Sequence, residues 1–281
     1  MKKKLIVSGC SFTDYNFESL HPDYDCSFPK WPEIVAEKLG VECINRGACG
    51  AGNNYIYSTL LDEVIRTPKE EILCVIPAWS QVQREDFQTY SKYTPHNKTS
   101  HKDKFYDNMI WQNKRVNREG NVFYWMIDQL RRYISFETMC KAYGVPYVQF
   151  QMLSAFDGYL HGLMKTDHEV ARNIGNGEFN PRYDYKTTLE NVEEDRKYIL
   201  QLISDYEKYI DTDNFIGWPI SYRLGGYAVE QEVLMTDAGI QDPSARETNW
   251  DLCVSKYDFH PNKKGHELLA EYIYGQLVQR L

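Results

Sequence analysis

Short apolar runs alternate with stretches of helical spacing along this chain, and no other feature limits its fold as strongly. Lys4-Leu5-Ile6-Val7 reads as a buried first strand. Trp31, Val35 and Leu39 follow helical spacing, and Gly40 stands where a glycine ends a helix. Val41-Glu42-Cys43-Ile44 is a second strand, and Asn53 or Asn54 caps a helix carrying Tyr57, Leu60, Leu61, Val64 and Ile65 on one face. The run from Glu71 to Ile76 is the clearest buried strand, and Pro146 to Phe150 reads as a fourth. Between them the spacing predicts a long helix, about Val122 to Tyr143, with Gly144 at its end. Thr187 and Glu190 form a capping box before a helix with Val192, Ile199, Ile203, Tyr206 and Ile210 on one stripe. Phe215 to Ile220 reads as a short strand or edge, and the last helix runs roughly from Lys264 to Leu281. Strands alternating with helices in this way pack as a parallel α/β sheet.

Two stretches interrupt the pattern. Residues 86–120 are polar and irregular, and residues 157–186 are polar and glycine-containing. Loops this long inside a compact domain usually carry function. With no repeat and no convincing linker, the 281 residues are expected to form a single domain with these two insertions.

Composition closes off several classes. There are 32 Lys+Arg against 40 Asp+Glu, a formal net charge of −8, which argues against broad capture of nucleic acid or an anionic membrane. The seven cysteines form no CxxC pair, so neither a disulfide framework nor a zinc ribbon is indicated. The lysines at 2–4 precede an apolar run that stops at Ser8-Gly9, too short for a signal peptide, and no stretch is long enough for a membrane span. A cytoplasmic setting is therefore expected, with no membrane and no nucleic acid as partner. Aromatic residues make up 14% of the chain, with 22 tyrosines, and tyrosine is enriched at interfaces and polar ligand sites. Tyr90, Tyr93, Tyr106, Tyr159, Tyr183 and Tyr185 fall in the two insertions, which makes those loops the expected substrate contacts.

Three segments at strand ends or before a helix hold the reactive side chains, where open parallel sheets bind ligands. Ser8-Gly9-Cys10-Ser11-Phe12-Thr13-Asp14 follows strand one, and reads either as an exposed serine on a tight turn or as a simple hydroxyl-capped turn. Asn45 to Asn53, with glycines at 47, 50 and 52, permits backbone N–H groups to converge on an anion, or is a flexible strand-to-helix turn. It is neither a P-loop nor a GxGxxG motif. Asp258-Phe259-His260-Pro261-Asn262 precedes the final helix; its Asp-x-His pair orients an imidazole or marks a solvent-facing turn capped by Asn262.

Taken in chain order, these blocks resemble the SGNH (GDSL-type) hydrolase superfamily. Gly9-Cys10-Ser11 is similar to its Gly-Asp-Ser block, with Cys10 in place of the usual Asp, and His260-Pro261-Asn262 with Gly265 is similar to its last block. The resemblance implies a three-layer α/β/α, flavodoxin-like parallel sheet of about five strands. It implies Ser11 as nucleophile, His260 as general base, Asp258 as the acid and Gly50 as an oxyanion donor. Asp258 stands two residues before the histidine where most members place the acid three before; Tyr257 holds that position, and Asp251 is a poor second candidate. The family's oxyanion-binding Asn is replaced by Ser80, a weaker donor, and loss of a proper donor costs about 10²–10³ in rate. Arg84-Glu85-Asp86 lies outside the family pattern and reads as a structural ion pair or a substrate contact. The combination also looks like proteins common in tailed-phage genomes.

The expectation is a serine esterase acting on an O-acyl ester, in particular O-acetyl, of a carbohydrate or other small polar substrate. No cofactor is called for, and His96, His101, His161 and His168 show no metal-ligand spacing. The alternatives are a catalytically inactive binding or structural protein on the same fold and an acyl or glycan transferase. Oligomeric state is not readable from the chain.

Overall fold

A computed structural model describes residues 2–19, 23–90, 100–102, 109–114, 122–156, 189–237 and 246–281. Five strands, β1 (Lys4–Gly9), β2 (Glu42–Asn45), β3 (Ile72–Trp79), β7 (Gln149–Gln151) and β8 (Phe215–Ile216), form one parallel sheet in the order β2-β1-β3-β7-β8. This is the flavodoxin-like order, and the point at which the order of strand addition reverses lies between β1 and β3.

Alternation along each strand divides the core in two. Ile6, Val75 and Trp79 face a cluster built on α2 (Asn53–Arg66), α3 (Val122–Tyr143) and α4 (Leu189–Tyr206). Leu5, Val7, Cys74, Ile76 and Ala78 face the other cluster, built on α1 (Trp31–Leu39), α5 (Val229–Val233) and α6 (Lys263–Leu277). Strands buried on both sides explain why β1 and β3 read as continuous apolar runs. The result is the expected three-layer α/β/α arrangement of about five strands.

The structure departs from the sequence reading in three places. Residues 86–120 do not form one irregular loop: β4 (Glu85–Tyr90), β5 (Ser100–Lys102) and β6 (Met109–Lys114) make a three-stranded antiparallel sheet in the order β4-β6-β5. In the sequence, Glu85-Asp86, Ser100-His101-Lys102 and Gln112-Asn113-Lys114 are consecutive polar residues that break the period-two pattern of a strand. Neither Asn53 nor Asn54 caps α2. Its N-cap is Gly52, and the buried Asp86 side chain accepts from the Gly52 and Tyr55 N–H groups, both at 2.9 Å. A carboxylate from β4 thus supplies the cap that the helix's own sequence lacks. Two hairpins were also unforeseen: β9 (Met235–Asp237) with β10 (Arg246–Thr248), and β11 (Cys253–Ser255) with β12 (Asp258–Pro261). The whole second insertion and the Thr187–Glu190 capping box lie outside the described residues or their described side chains.

A buried polar network fixes the ends of β3 and β7. Trp79 Nε1 donates to Gln149 Oε1 at 3.0 Å, and Gln149 Nε2 donates to Glu137 Oε1 at 2.6 Å. Burial pushes the Glu137 carboxyl up to about 7, against the hydrogen bonds it accepts. Tyr133 Oη donates to Gln151 Oε1 at 2.6 Å, and Gln151 Nε2 donates to the Ser80 carbonyl at 2.7 Å. Each buried polar group here has a partner, so the strand ends that carry the site are held rigidly.

On the opposite face, His266 of α6 is buried and its Nδ1 accepts from the Trp31 N–H at 3.2 Å. Burial, reinforced by the nearby Lys30 and His260 charges, pushes its imidazole down to about 3. Between about pH 6.5 and 3 the unfolded chain therefore binds a proton here that the folded chain does not. Stability from this group is complete above about 6.5 and falls as pH drops, by on the order of 2 kcal/mol at pH 5. His266→Asn keeps a neutral acceptor for Trp31 and is expected to lose less stability between pH 7.5 and 5 than the parent, measured by urea unfolding. Equal losses would contradict this account.

Candidate active site

Ser11 stands two residues beyond β1, in a turn closed by the Thr13 and Asp14 N–H groups on the Cys10 carbonyl, at 2.8 and 3.1 Å. His260 and Asp258 come from β12, on the hairpin that leads into α6. Packing of α6 beside α1 against the same sheet face brings the hairpin to the end of β1. His260 Nε2 lies 2.8 Å from Ser11 Oγ, and His260 Nδ1 lies 2.6 Å from Asp258 Oδ1. With Asp258 ionised, Nδ1 carries the proton and donates, which leaves Nε2 as acceptor for the Ser11 hydroxyl. Three residues separated by up to 249 positions therefore form one continuous hydrogen-bonded line.

Asp258 is largely buried, which works against its charge, yet its carboxyl is held down at about 2. The hydrogen bonds it accepts win: from the His260 ring, from Ser19 Oγ at 2.5 Å and from the His260 N–H at 3.1 Å. Ser19 is a residue the sequence reading missed. A lone serine 239 positions from its partner leaves no local signal.

Because the folded pKa lies below the unfolded value, Asp258 adds stability that is full above about pH 4 and is lost as pH falls through about 2. Ser19→Ala removes one of the three bonds, so the Asp258 carboxyl is expected to rise and the acid-unfolding midpoint to move to higher pH. A kcat lower by about three- to tenfold at unchanged KM should accompany it. An unmoved acid midpoint would show that Ser19 does not tune Asp258.

Three phenyl rings hold the plane of the His260 imidazole. Phe17 is 4.2 Å away between ring centroids, Phe259 is stacked at 5.0 Å, and Phe12 is at 5.4 Å. Phe17 and Phe259 gave no signal in sequence either, since apolar residues in a turn look like ordinary anchors.

The glycine-rich segment after β2 is laced to the Ser11 turn. Asn45 Nδ2 donates to the Thr13 carbonyl at 2.7 Å, the Ala48 N–H to the Gly9 carbonyl at 3.0 Å, and the Cys49 N–H to Asp14 Oδ2 at 2.9 Å. A Cβ on Gly47 would sit 2.6 Å from the Thr13 carbonyl carbon, so only glycine allows this approach. Gly50 has φ +77°, the left-handed region. Among the described residues, the N–H groups of Ser11 and Gly50 are committed to no hydrogen bond.

Ser80 is fully buried. Its N–H donates to Asn53 Oδ1 at 2.7 Å and its carbonyl accepts from Asn53 Nδ2 at 3.0 Å, while its Oγ has no partner among the described residues. Arg84 and Asp86 do not pair with each other by direct hydrogen bond; Arg84 Nη1 donates to the Ala51 carbonyl at 3.2 Å and Asp86 caps α2. Asp251, the second candidate acid, is exposed, and its carbonyl accepts from Asn262 Nδ2 at 3.0 Å. The side chains of Tyr90, Tyr93, Tyr106, Tyr159, Tyr183, Tyr185, His96, His101, His161 and His168 lie outside the described residues. Among the described residues no cluster of His, Cys, Asp and Glu could hold a metal ion, and no helix is long and apolar enough to cross a membrane.

No family model and no curated protein matches the chain. Among solved structures, it is similar to a protein assigned to the G-D-S-L lipolytic family from Desulfitobacterium hafniense, at 13% identity and a TM-score of 0.44, covering 98% of this chain and 99% of that one. A member of the same lipolytic family from Veillonella parvula is similar at 10% identity and 0.41, covering 99% and 100%. An acetyl xylan esterase, Est2A, from Butyrivibrio proteoclasticus is similar at 12% identity and 0.31, covering 74% and 65%. Similarity at this level leaves the chemistry to be read from the site's own geometry.

Proposed function

We propose that the protein is a serine esterase, with Ser11 as nucleophile, His260 as general base and Asp258 as the residue that orients the imidazole. The single observation that carries this reading is the hydrogen-bonded line from Ser11 Oγ through His260 to Asp258, at 2.8 and 2.6 Å. Ser11 Oγ attacks the ester carbonyl while its proton passes to His260 Nε2. The tetrahedral oxyanion accepts from the uncommitted N–H groups of Ser11 and Gly50, with the unpartnered Ser80 hydroxyl as third donor. His260 then returns the proton to the departing alkoxide as the C–O bond breaks. Water, deprotonated by His260, attacks the acyl-Ser11 ester and releases the acid.

The substrate of this proposal is an O-acyl ester, in particular O-acetyl, on a carbohydrate or other small polar carrier. Support comes from exposed rings: Phe259, stacked on His260, and Tyr257 and Tyr15, which are close in sequence to Asp258 and to the Ser11 turn. Such rings suit the C–H faces of a sugar. A fluorophosphonate probe is expected to add one phosphonyl group at Ser11, read by intact mass and peptide mapping, and acetate should be released from an acetylated polysaccharide. An unlabelled Ser11 would favour an inactive binding protein, and labelling without acetate release would overturn the carbohydrate assignment alone.

A further inference from the structure

A cavity of about 270 Å³ lies between the start of α2, the β3–β4 connection and the first half of α3. None of Ser11, Asp258 and His260 lines it, so it is separate from the line of hydrogen bonds described above. It is joined to the site through Asn53, which forms part of its wall and holds the backbone of Ser80 on both sides.

One stripe of α3 supplies most of its chemistry, with Trp125, Asp128, Gln129 and Arg132 at helical spacings of three and four. The cations in the wall are already engaged. Arg132 Nη2 donates to Asp128 Oδ2 at 2.6 Å and Nη1 to Asn54 Oδ1 at 3.2 Å, while Arg84 donates to Gln81 and the Ala51 carbonyl. Asp86 is held by the α2 N–H groups. Glu85, Asp86 and Asp128 against Arg84 and Arg132 leave the wall with a net negative formal charge, which disfavours an anionic ligand.

Two neutral requirements remain. Gln129 is 2% exposed, and its amide nitrogen has no hydrogen-bond partner of ordinary geometry among the described residues. The Tyr133 hydroxyl, whose proton goes to Gln151, stands beside this amide and can accept from one of its two N–H groups, which leaves the other without an acceptor. Arg132 Nε is likewise buried without a partner. Buried donors without acceptors are rare in native proteins and call for an explanation. Beside them stand the buried Trp125 ring and the Tyr124 ring, 59% exposed at the mouth.

A ligand that answers all of this is uncharged, carries oxygens that both accept and donate, and presents an apolar face to an aromatic ring. The volume is at the small end for ligand pockets, roughly nine waters' worth. We propose that this cavity binds a single neutral sugar residue. Its hydroxyls accept from Gln129 and Arg132 and donate to Asp128, and its C–H face rests on Tyr124. The inference does not depend on Ser11 being a nucleophile.

The test is saturation-transfer NMR and calorimetric titration with the methyl glycosides of glucose, galactose and N-acetylglucosamine, with adenosine, uridine and sodium acetate as controls. At least one glycoside is expected to bind, with the same Kd in Ser11→Ala, and about tenfold or more weakly in both Tyr124→Ala and Gln129→Leu. Tyr124→Ala trims an exposed ring, so a failure of Gln129→Leu to fold leaves the first variant to decide. No binding by any of the three glycosides, binding unaltered in Tyr124→Ala, a Kd that shifts in Ser11→Ala, or a nucleoside or acetate binding more tightly than every glycoside would overturn it. Ester hydrolysis measured on the same samples separates the two proposals, since sugar binding without hydrolysis leaves this one standing.

Discussion

Ser11→Ala is expected to lower kcat/KM for a short acyl ester by about 10⁴–10⁶-fold while leaving the folded protein intact. Ser11 is 4% exposed, and its Oγ has one partner among the described residues, His260 Nε2. Alanine therefore removes the attacking atom and one hydrogen bond, with no change to the turn, which is closed by backbone groups on the Cys10 carbonyl. The uncommitted N–H groups of Ser11 and Gly50 survive the substitution, so slow attack by water, about 10³–10⁴-fold above the uncatalysed rate, should persist. A variant within tenfold of the parent rate, at an unchanged melting temperature, would remove Ser11 from the mechanism.

Asp258→Asn is expected to lower kcat by up to about 10⁴-fold, with little change in KM. The carboxylate accepts three hydrogen bonds, two from His260 and one from Ser19. An amide has one acceptor oxygen. If that oxygen faces Ser19, the amide N–H groups face Nδ1, the imidazole changes tautomer, and Nε2 can no longer accept the Ser11 proton. If it faces His260, the tautomer is kept, but no negative charge remains to stabilise the imidazolium formed during attack. Both orientations slow the same step. Since the parent carboxyl is held at about 2, Asp258 stays ionised throughout any practical assay range, and the acid limb of the parent rate profile does not report it. A kcat within tenfold of the parent would mean that Asp258 only braces the hairpin.

Much of the architecture was legible in sequence because burial on both faces writes a plain signal. β1 and β3 are continuous apolar runs, α3 keeps its spacing over 22 residues, and Gly40 and Gly144 sit at the helix ends with positive φ. Ser11, Asp258 and His260 were readable because each lies in a short block with its own local pattern. Ser19 and Phe17 were not, and Asp86 was read as part of an ion pair or a substrate contact, not as the cap of α2. Each acts on a partner that chain folding, not chain order, brings within reach. The antiparallel sheet of β4, β5 and β6 escaped for a related reason, since strands of mixed polarity carry a weaker pattern than buried parallel ones.

What the sequence determined by itself was the alternation of strand and helix and the supply of a serine, a glycine-rich turn and an Asp-x-His pair in a fixed order. Alternation follows from local sterics and from which side chains avoid water, and both are properties of short windows. What only the tertiary structure decided was whether those three pieces meet, which oxygen Asp258 offers to which donor, and where uncommitted donors remain. Those are questions of a few tenths of an ångström between segments up to 249 residues apart, set by how α6 and α1 pack on one face of the sheet.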